Sequence, residues 1–184
     1  MQADSPNETL RTRYNFVVRH GERADHDPEI REQWIGHPDP ILTTIGHKQA
    51  AETGHFLKAK LEEIEKKEGK QFDKVILECS PFIRTMATAA QVGKAIGKED
   101  IALNCRFSEW FADWLYTVNP CPKLESLNQD FAVLETEFNL QGRVYEKAPA
   151  EQVEEMMKLF PESKDAGTAR AARNIELFDD MLKD

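Results

Sequence analysis

Arg19, His20, Gly21, Glu22 and Arg23 stand in one uninterrupted run directly after the apolar segment Phe16-Val17-Val18. An imidazole flanked by guanidinium groups is suited to work on an anion, because neighbouring cations depress its pKa and keep a nitrogen lone pair free near neutral pH. A second cluster, Ser80-Pro81-Phe82-Ile83-Arg84-Thr85, again follows a β-branched segment. Ser80 and Pro81 read as a helix N-cap and first-turn pair, so a helix is expected from Phe82 onward, with Arg84 in its first turn. The free N–H groups and positive dipole end of that helix would point at the same crevice as His20. Arginines delivered from two strand ends to one rim repel each other unless an anion lies between them, and guanidinium forks match phosphate oxygens in pairs. The plainer alternative is that Arg19, Glu22 and Arg23 are loop charges pairing among themselves, with His20 a hydrogen-bonded bystander.

The elements that must position these residues alternate along the chain. Tyr14–His20, Lys74–Ser80 and Ile101–Phe107 are β-branched and aromatic enough for strands. Between the first two, the stretch after Leu42 offers Thr43 or Thr44 as N-cap, sets Leu57, Leu61 and Ile64 on one helical face and stops near Gly69. Short apolar strands separated by such helices imply βαβ crossovers and a mostly parallel sheet covered on both faces, so the expected class is α/β in three αβα layers. Ligands of such sheets bind outside the carboxyl ends of the strands, where His20 falls.

Beyond Phe107 the regularity lapses. The stretch from about residue 110 to 149 reads as an irregular or partly helical insertion with turns at Asn119-Pro120 and Gly142, forming either a lid or substrate wall or a plain packing subdomain. Two helices follow. One gathers Val153, Met156, Met157 and Phe160 before Pro161, and the other stacks Ala171, Ile175, Phe178 and Leu182; both stripes read as core faces.

Bulk properties exclude several classes. The chain has 184 residues, 40% hydrophobic and 31% charged, which suits one soluble globular domain. Its net charge of −9 repels nucleic acid and anionic membrane over most of the surface, so any anion must be caught by a local basic site. No apolar run approaches the roughly 20 residues that cross a bilayer, and the opening Met1–Leu10 lacks the pattern of a secretory signal, so a cytoplasmic location is expected. Cys79, Cys105 and Cys121 lack a CxxC spacing and read as reduced thiols. His26, His37 and His55 are spread without ligand pairing; no metal and no cofactor are assigned.

The motifs Val17-Val18-Arg19-His20-Gly21-Glu22-Arg23, Asp39–Ala50 and Ser80–Ala89, in this order and at this separation, resemble the histidine phosphatase superfamily, the phosphoglycerate mutase-like fold, and within it the phosphatase members carrying Arg-His-Gly-Glu-Arg. The resemblance covers roughly residues 14 to 110 and implies a phosphomonoesterase working through phosphohistidine. His20 would be the nucleophile, and Arg19, Arg23 and Arg84 would hold the phosphoryl oxygens. Glu109, just past the third strand, would be the proton donor to the leaving oxygen, kept protonated by part-burial under Trp110. Its plainer reading is a surface carboxylate beside a core tryptophan. Glu22 is expected to pair with Arg23. Thr44, Gly46 and His47 shape the loop and helix start, and Trp110, Phe111 and Trp114 pack rather than stack on bases.

One departure stands out: all 5 histidines lie at or before His55, whereas the family places a second essential histidine far downstream, on a strand between the first two. Its absence should leave unpaired ladder groups or force those two strands to pair directly. An incomplete sequence, a truncated protein with a rearranged sheet, or a non-catalytic relative would each explain this; the first is preferred because the other catalytic features are intact. The expected function is therefore phosphatase, with a catalytically impaired phosphate-binding or regulatory module as the alternative. The expected ligands are a phosphorylated small molecule or phosphopeptide and inorganic phosphate.

Overall fold

The computed structural model describes residues 12–138, 140 and 142–181 of the chain. Met1–Leu10 and Leu182 therefore lie outside the described residues, as does the side chain of Phe178.

Thr43 starts the first helix, α1 (Thr44–Glu68), with extended backbone and a hydroxyl that accepts the Gly46 N–H at 2.9 Å. Gly69, at φ 66°, ends it in the left-handed region that a residue with a Cβ adopts only at a cost. The expected caps are thus found, and Leu57 and Ile64 are buried, with Leu61 partly so. The next helix, α2 (Ile83–Ile96), packs along α1 and against the sheet.

Three short strands form that sheet: β1 (Glu78–Cys79), β2 (Asp100–Leu103) and β3 (Val144–Glu146). They pair in parallel in the order β1-β2-β3, with Cys79 opposite Leu103 and Ile101 opposite Tyr145. The fold is α/β, and the arrangement is consistent with three αβα layers. Helices α3 (Glu125–Asn128) and α4 (Phe131–Phe138) precede β3, and α5 (Ala150–Met157) and α6 (Lys164–Met181) follow it.

One core joins Ile83 and Met86 of α2, Ile101 and Leu103 of β2, and Leu134 and Leu140. A second joins Phe82, Cys105, Phe111, Leu124 and Met156, tying the insertion to α5. Each large apolar side chain fully buried in this way contributes about 2 kcal/mol. The three cysteines are free and buried, and burial pushes the Cys105 thiol up to about 11 and that of Cys121 up to about 12.

Several expectations are corrected. Tyr14–His20 forms no strand: Val17 is 94% exposed, and of the two outcomes expected for this edge, direct pairing is not the one found, because β1 pairs with β2 alone among the described residues. Near its ends the segment is held by the Tyr14 ring edge-on to Phe72, by the Tyr14 hydroxyl donating to Glu68 Oε1 at 3.0 Å, and by the Gly21 N–H on Thr88 Oγ1. The second and third expected strands shrink to β1 and β2, and residues 105–107 turn into a 3-10 helix capped by Asn104. The insertion is less irregular than its sequence suggests, since Val144–Glu146 is a sheet strand. On α6, Ala171 and Ile175 are exposed rather than core, whereas Met156 of α5 is buried and Met157 is not.

Candidate active site

The loop bearing His20 is docked on the start of α1 by contact between two glycine backbones. A Cβ on Gly21 would lie 2.2 Å from the Gly46 carbonyl oxygen, and one on Gly46 would lie 2.3 Å from that of Glu22. Either residue must therefore be glycine for the loop to close. Around this contact, Thr43 N–H donates to the Glu22 carbonyl (3.0 Å) and Ala24 N–H to that of Ile41 (2.8 Å). The Thr43 hydroxyl donates to Glu22 Oε2 at 2.7 Å. Glu22 thus holds the loop through Thr43 and not, as expected, through Arg23, which pairs with Asp25 instead.

His20 is half-buried, with Nδ1 2.7 Å from the Gly21 carbonyl oxygen. A carbonyl can only accept, so Nδ1 carries the hydrogen and the neutral ring presents a free lone pair at Nε2. Burial pushes its pKa below the ordinary value, the hydrogen bond to Gly21 opposes this, and the fields of Arg84, Arg19 and Arg23 lower it further. The chain thus brings all three arginines close enough for His20 to feel each one. Arg19 is exposed and makes no ion pair or side-chain hydrogen bond among the described residues.

Arg84 is 2% exposed, on the first turn of α2. Its guanidinium lies 4.2 Å from the Phe82 ring centroid, Nη1 donates to Asp39 Oδ1 at 3.3 Å, and Nη2 donates to Glu109 Oε2. Among the described residues its Nε–H is buried without a partner, as is the Ser80 hydroxyl. Ser80 is therefore not the N-cap expected for this helix: Phe82 occupies that position without a side-chain cap, and the carboxylate of Asp39 accepts the Ile83 N–H at 3.0 Å in its place.

Glu109 faces Arg84, Arg23 (3.8 Å) and the Tyr116 hydroxyl, which donates to Oε2 at 2.8 Å. The Glu109 side chain is partly buried, 29% exposed, and is followed in the chain by Trp110. That indole donates to the Glu162 carbonyl at 2.9 Å and stands edge-on to Trp114, which is 68% exposed and so is not the packing residue expected. Burial and the Glu109 carboxylate raise the Tyr116 pKa, keeping its proton available to donate.

The backbone of this segment is gripped from a distance. Arg170 of α6 donates to both carboxylate oxygens of Glu162, each at 2.8 Å, and to the carbonyls of Ser108 and Glu109, each at 3.1 Å. Glu162 in turn accepts the Phe111 N–H at 3.2 Å. Sequence reasoning missed Asp39, Tyr116, Glu162 and Arg170. Of these only Asp39, inside one of the three motifs, carried a local signal.

A family model described as the histidine phosphatase superfamily (branch 1) matches residues 16–118, more than half of the chain. The chain belongs to this superfamily. The matched span holds His20, the three arginines and Glu109, and membership points to chemistry of the phosphatase or mutase type. No match was found among curated proteins. Among the described residues, no helix is long and apolar enough to cross a membrane.

Proposed function

We propose that this chain is a phosphatase that hydrolyses phosphomonoesters through a phosphohistidine on His20, acting in the cytoplasm on a phosphorylated small molecule or phosphopeptide. The observation that carries this reading is the His20 ring itself, with Nδ1 turned to the Gly21 carbonyl and its pKa lowered by burial and by the nearby arginines.

Nε2 attacks phosphorus while the bond to the ester oxygen breaks, and Arg19, Arg23 and Arg84 carry the charge that spreads over the equatorial oxygens. Glu109 supplies the proton to the departing oxygen. Water then attacks the phosphohistidine, loses its proton to Glu109 and releases inorganic phosphate. Glu109 accepts from Nη2 of Arg84, so the arriving phosphoryl group takes its place there and leaves the carboxyl at the edge of the site. The Tyr116 hydroxyl holds it during this exchange. Residues 110–149 serve as the substrate wall, since Tyr116 brings this stretch onto Glu109.

A second reading, a phosphate-binding or regulatory module with impaired catalysis, is favoured by the two carboxylates already on Arg84. Assay of a generic aryl phosphate separates the two. Sustained release of inorganic phosphate supports the enzyme; phosphate or vanadate binding without turnover supports the module.

A further inference from the structure

Arg84 has two usable edges, and they are treated differently. One terminal nitrogen, Nη1, is held by Asp39 at 3.3 Å. The other edge, formed by Nε and Nη2, is the fork that grips two oxygens of a tetrahedral anion at once. The two nitrogens of that fork are engaged unequally: Nε–H is buried with no partner among the described residues, and Nη2 is lent to Glu109. A buried guanidinium N–H without an acceptor is costly, and an incoming anion oxygen removes the cost.

Asp39 is fixed from three sides, which makes it a suitable fulcrum. It is 3% exposed, and its two carboxylate oxygens lie 3.0 Å from the Ile83 N–H. Its own N–H donates to His37 Nδ1 at 3.1 Å. The carboxylate therefore ties the loop before α1 both to the first turn of α2 and to the arginine that this turn carries.

We infer that Asp39 is a positioning residue for anion binding: by holding Nη1 of Arg84 and the first N–H of α2, it presents the Nε–Nη2 fork to a phosphoryl group beside His20. This rests on the phosphate-site reading above. The Asp39 carboxylate on Nη1 competes with an incoming anion for the charge of Arg84, so a dianion enters more readily when Asp39 gains a proton. Burial favours that uptake, pushing the Asp39 carboxyl up to about 7 against the Ile83 N–H and Arg84, which lower it. The charged and titratable groups that face Asp39 are Arg84 of α2, Glu109 after β2, Glu125 of α3 and His37 of its own loop. Anion binding is accordingly linked to protonation of Asp39, and affinity falls as pH rises through neutrality.

Sulfate is a suitable probe because its charge stays fixed across the window from about pH 5.5 to about pH 8.5. Calorimetric titration of the unsubstituted chain is expected to show sulfate affinity falling by about tenfold across that window, with the midpoint near the value of Asp39. Asp39→Asn keeps an acceptor for Arg84 without the titrating charge. It should bind within about threefold of the low-pH affinity and lose the pH step around neutrality, leaving only the weaker step of His20 at lower pH. Asp39→Ala releases Arg84 and should bind at least about tenfold more weakly at every pH. Unchanged affinity in a folded Asp39→Ala, or a persistent step in Asp39→Asn, would overturn the role of Asp39 while leaving the phosphate site standing. If Asp39→Ala does not fold, the pH step in Asp39→Asn decides. No sulfate binding by the unsubstituted chain would overturn the phosphate site, and this role with it.

Discussion

On the His20 wall of the site, backbone meets backbone, with Gly21 against Gly46 at a distance no Cβ could share. The loop and α1 are near neighbours in the chain, and Thr43, Glu22 and Gly46 join them through short, local hydrogen bonds. The Glu109 wall is built the other way. Its backbone carbonyl is held by Arg170, 61 residues downstream, and its side chain is shared among two arginines and a tyrosine. On the proposed mechanism, the first wall fixes a nucleophile that must not move. On the same proposal the second holds a proton donor that must change partners when a phosphoryl group arrives, and side-chain contacts allow that exchange where glycine packing would not.

The contrast can be broken from either side. His20→Ala should lower phosphatase turnover at least about a thousandfold while sulfate still binds, because the attacking nitrogen is lost and the arginines remain. Turnover assays beside calorimetric titration check this. Gly21→Ala or Gly46→Ala should destabilise the fold by more than about 3 kcal/mol, since backbone on both sides must retreat, and denaturant unfolding measures the loss. A milder result would mean that the docking of the loop is softer than the 2.2 Å approach implies.

The second wall should fail more gently. Arg170→Ala is expected to lower kcat about tenfold, with anion affinity nearly unchanged, because Glu109 loses its backbone anchor and the arginines around His20 do not. Acid should loosen the same clasp. Burial raises the Glu162 carboxyl, but the hydrogen bonds from Arg170 and the Phe111 N–H outweigh it and leave its pKa below the ordinary 4.5. Its contribution is thus present above the unfolded value and lost as pH falls through the lower folded one. Trp110, hydrogen-bonded to Glu162, should report this as a fluorescence change below about pH 4.5 that Glu162→Gln removes. The smallest effect belongs to Tyr116→Phe, a loss of about two- to fivefold in kcat with stability little changed, since one hydrogen bond to Glu109 goes and the packing on Phe111 stays.

The difference between the walls also decides what the sequence could convey. Gly21, Gly46, Thr43 and Arg84 sit in three compact motifs, so the residues of the His20 wall stood out in the sequence, while the contact of Gly21 with Gly46 and the bond of Glu22 to Thr43 did not. Helix α1 was legible for the same reason, with a capping threonine at one end and Gly69 at the other. Arg170 and Glu162 lie in ordinary helical and loop sequence, and only tertiary packing reveals that they meet Glu109. Val144–Glu146 was missed because three residues are too few for an alternation to register, and it becomes a strand through pairing with β2. Tyr14–Arg19 misled in the opposite direction. Its β-branched composition is real, but strand structure requires a paired neighbour, and none of the described residues supplies one.

Rapid quenching of the unsubstituted chain during turnover of a phosphorus-labelled aryl phosphate addresses the chemistry most directly. An acid-labile, alkali-stable label that maps to His20 and disappears in His20→Ala is the expected result. Hydrolysis that proceeds without phosphate ever residing on His20, or no hydrolysis at all, would contradict it.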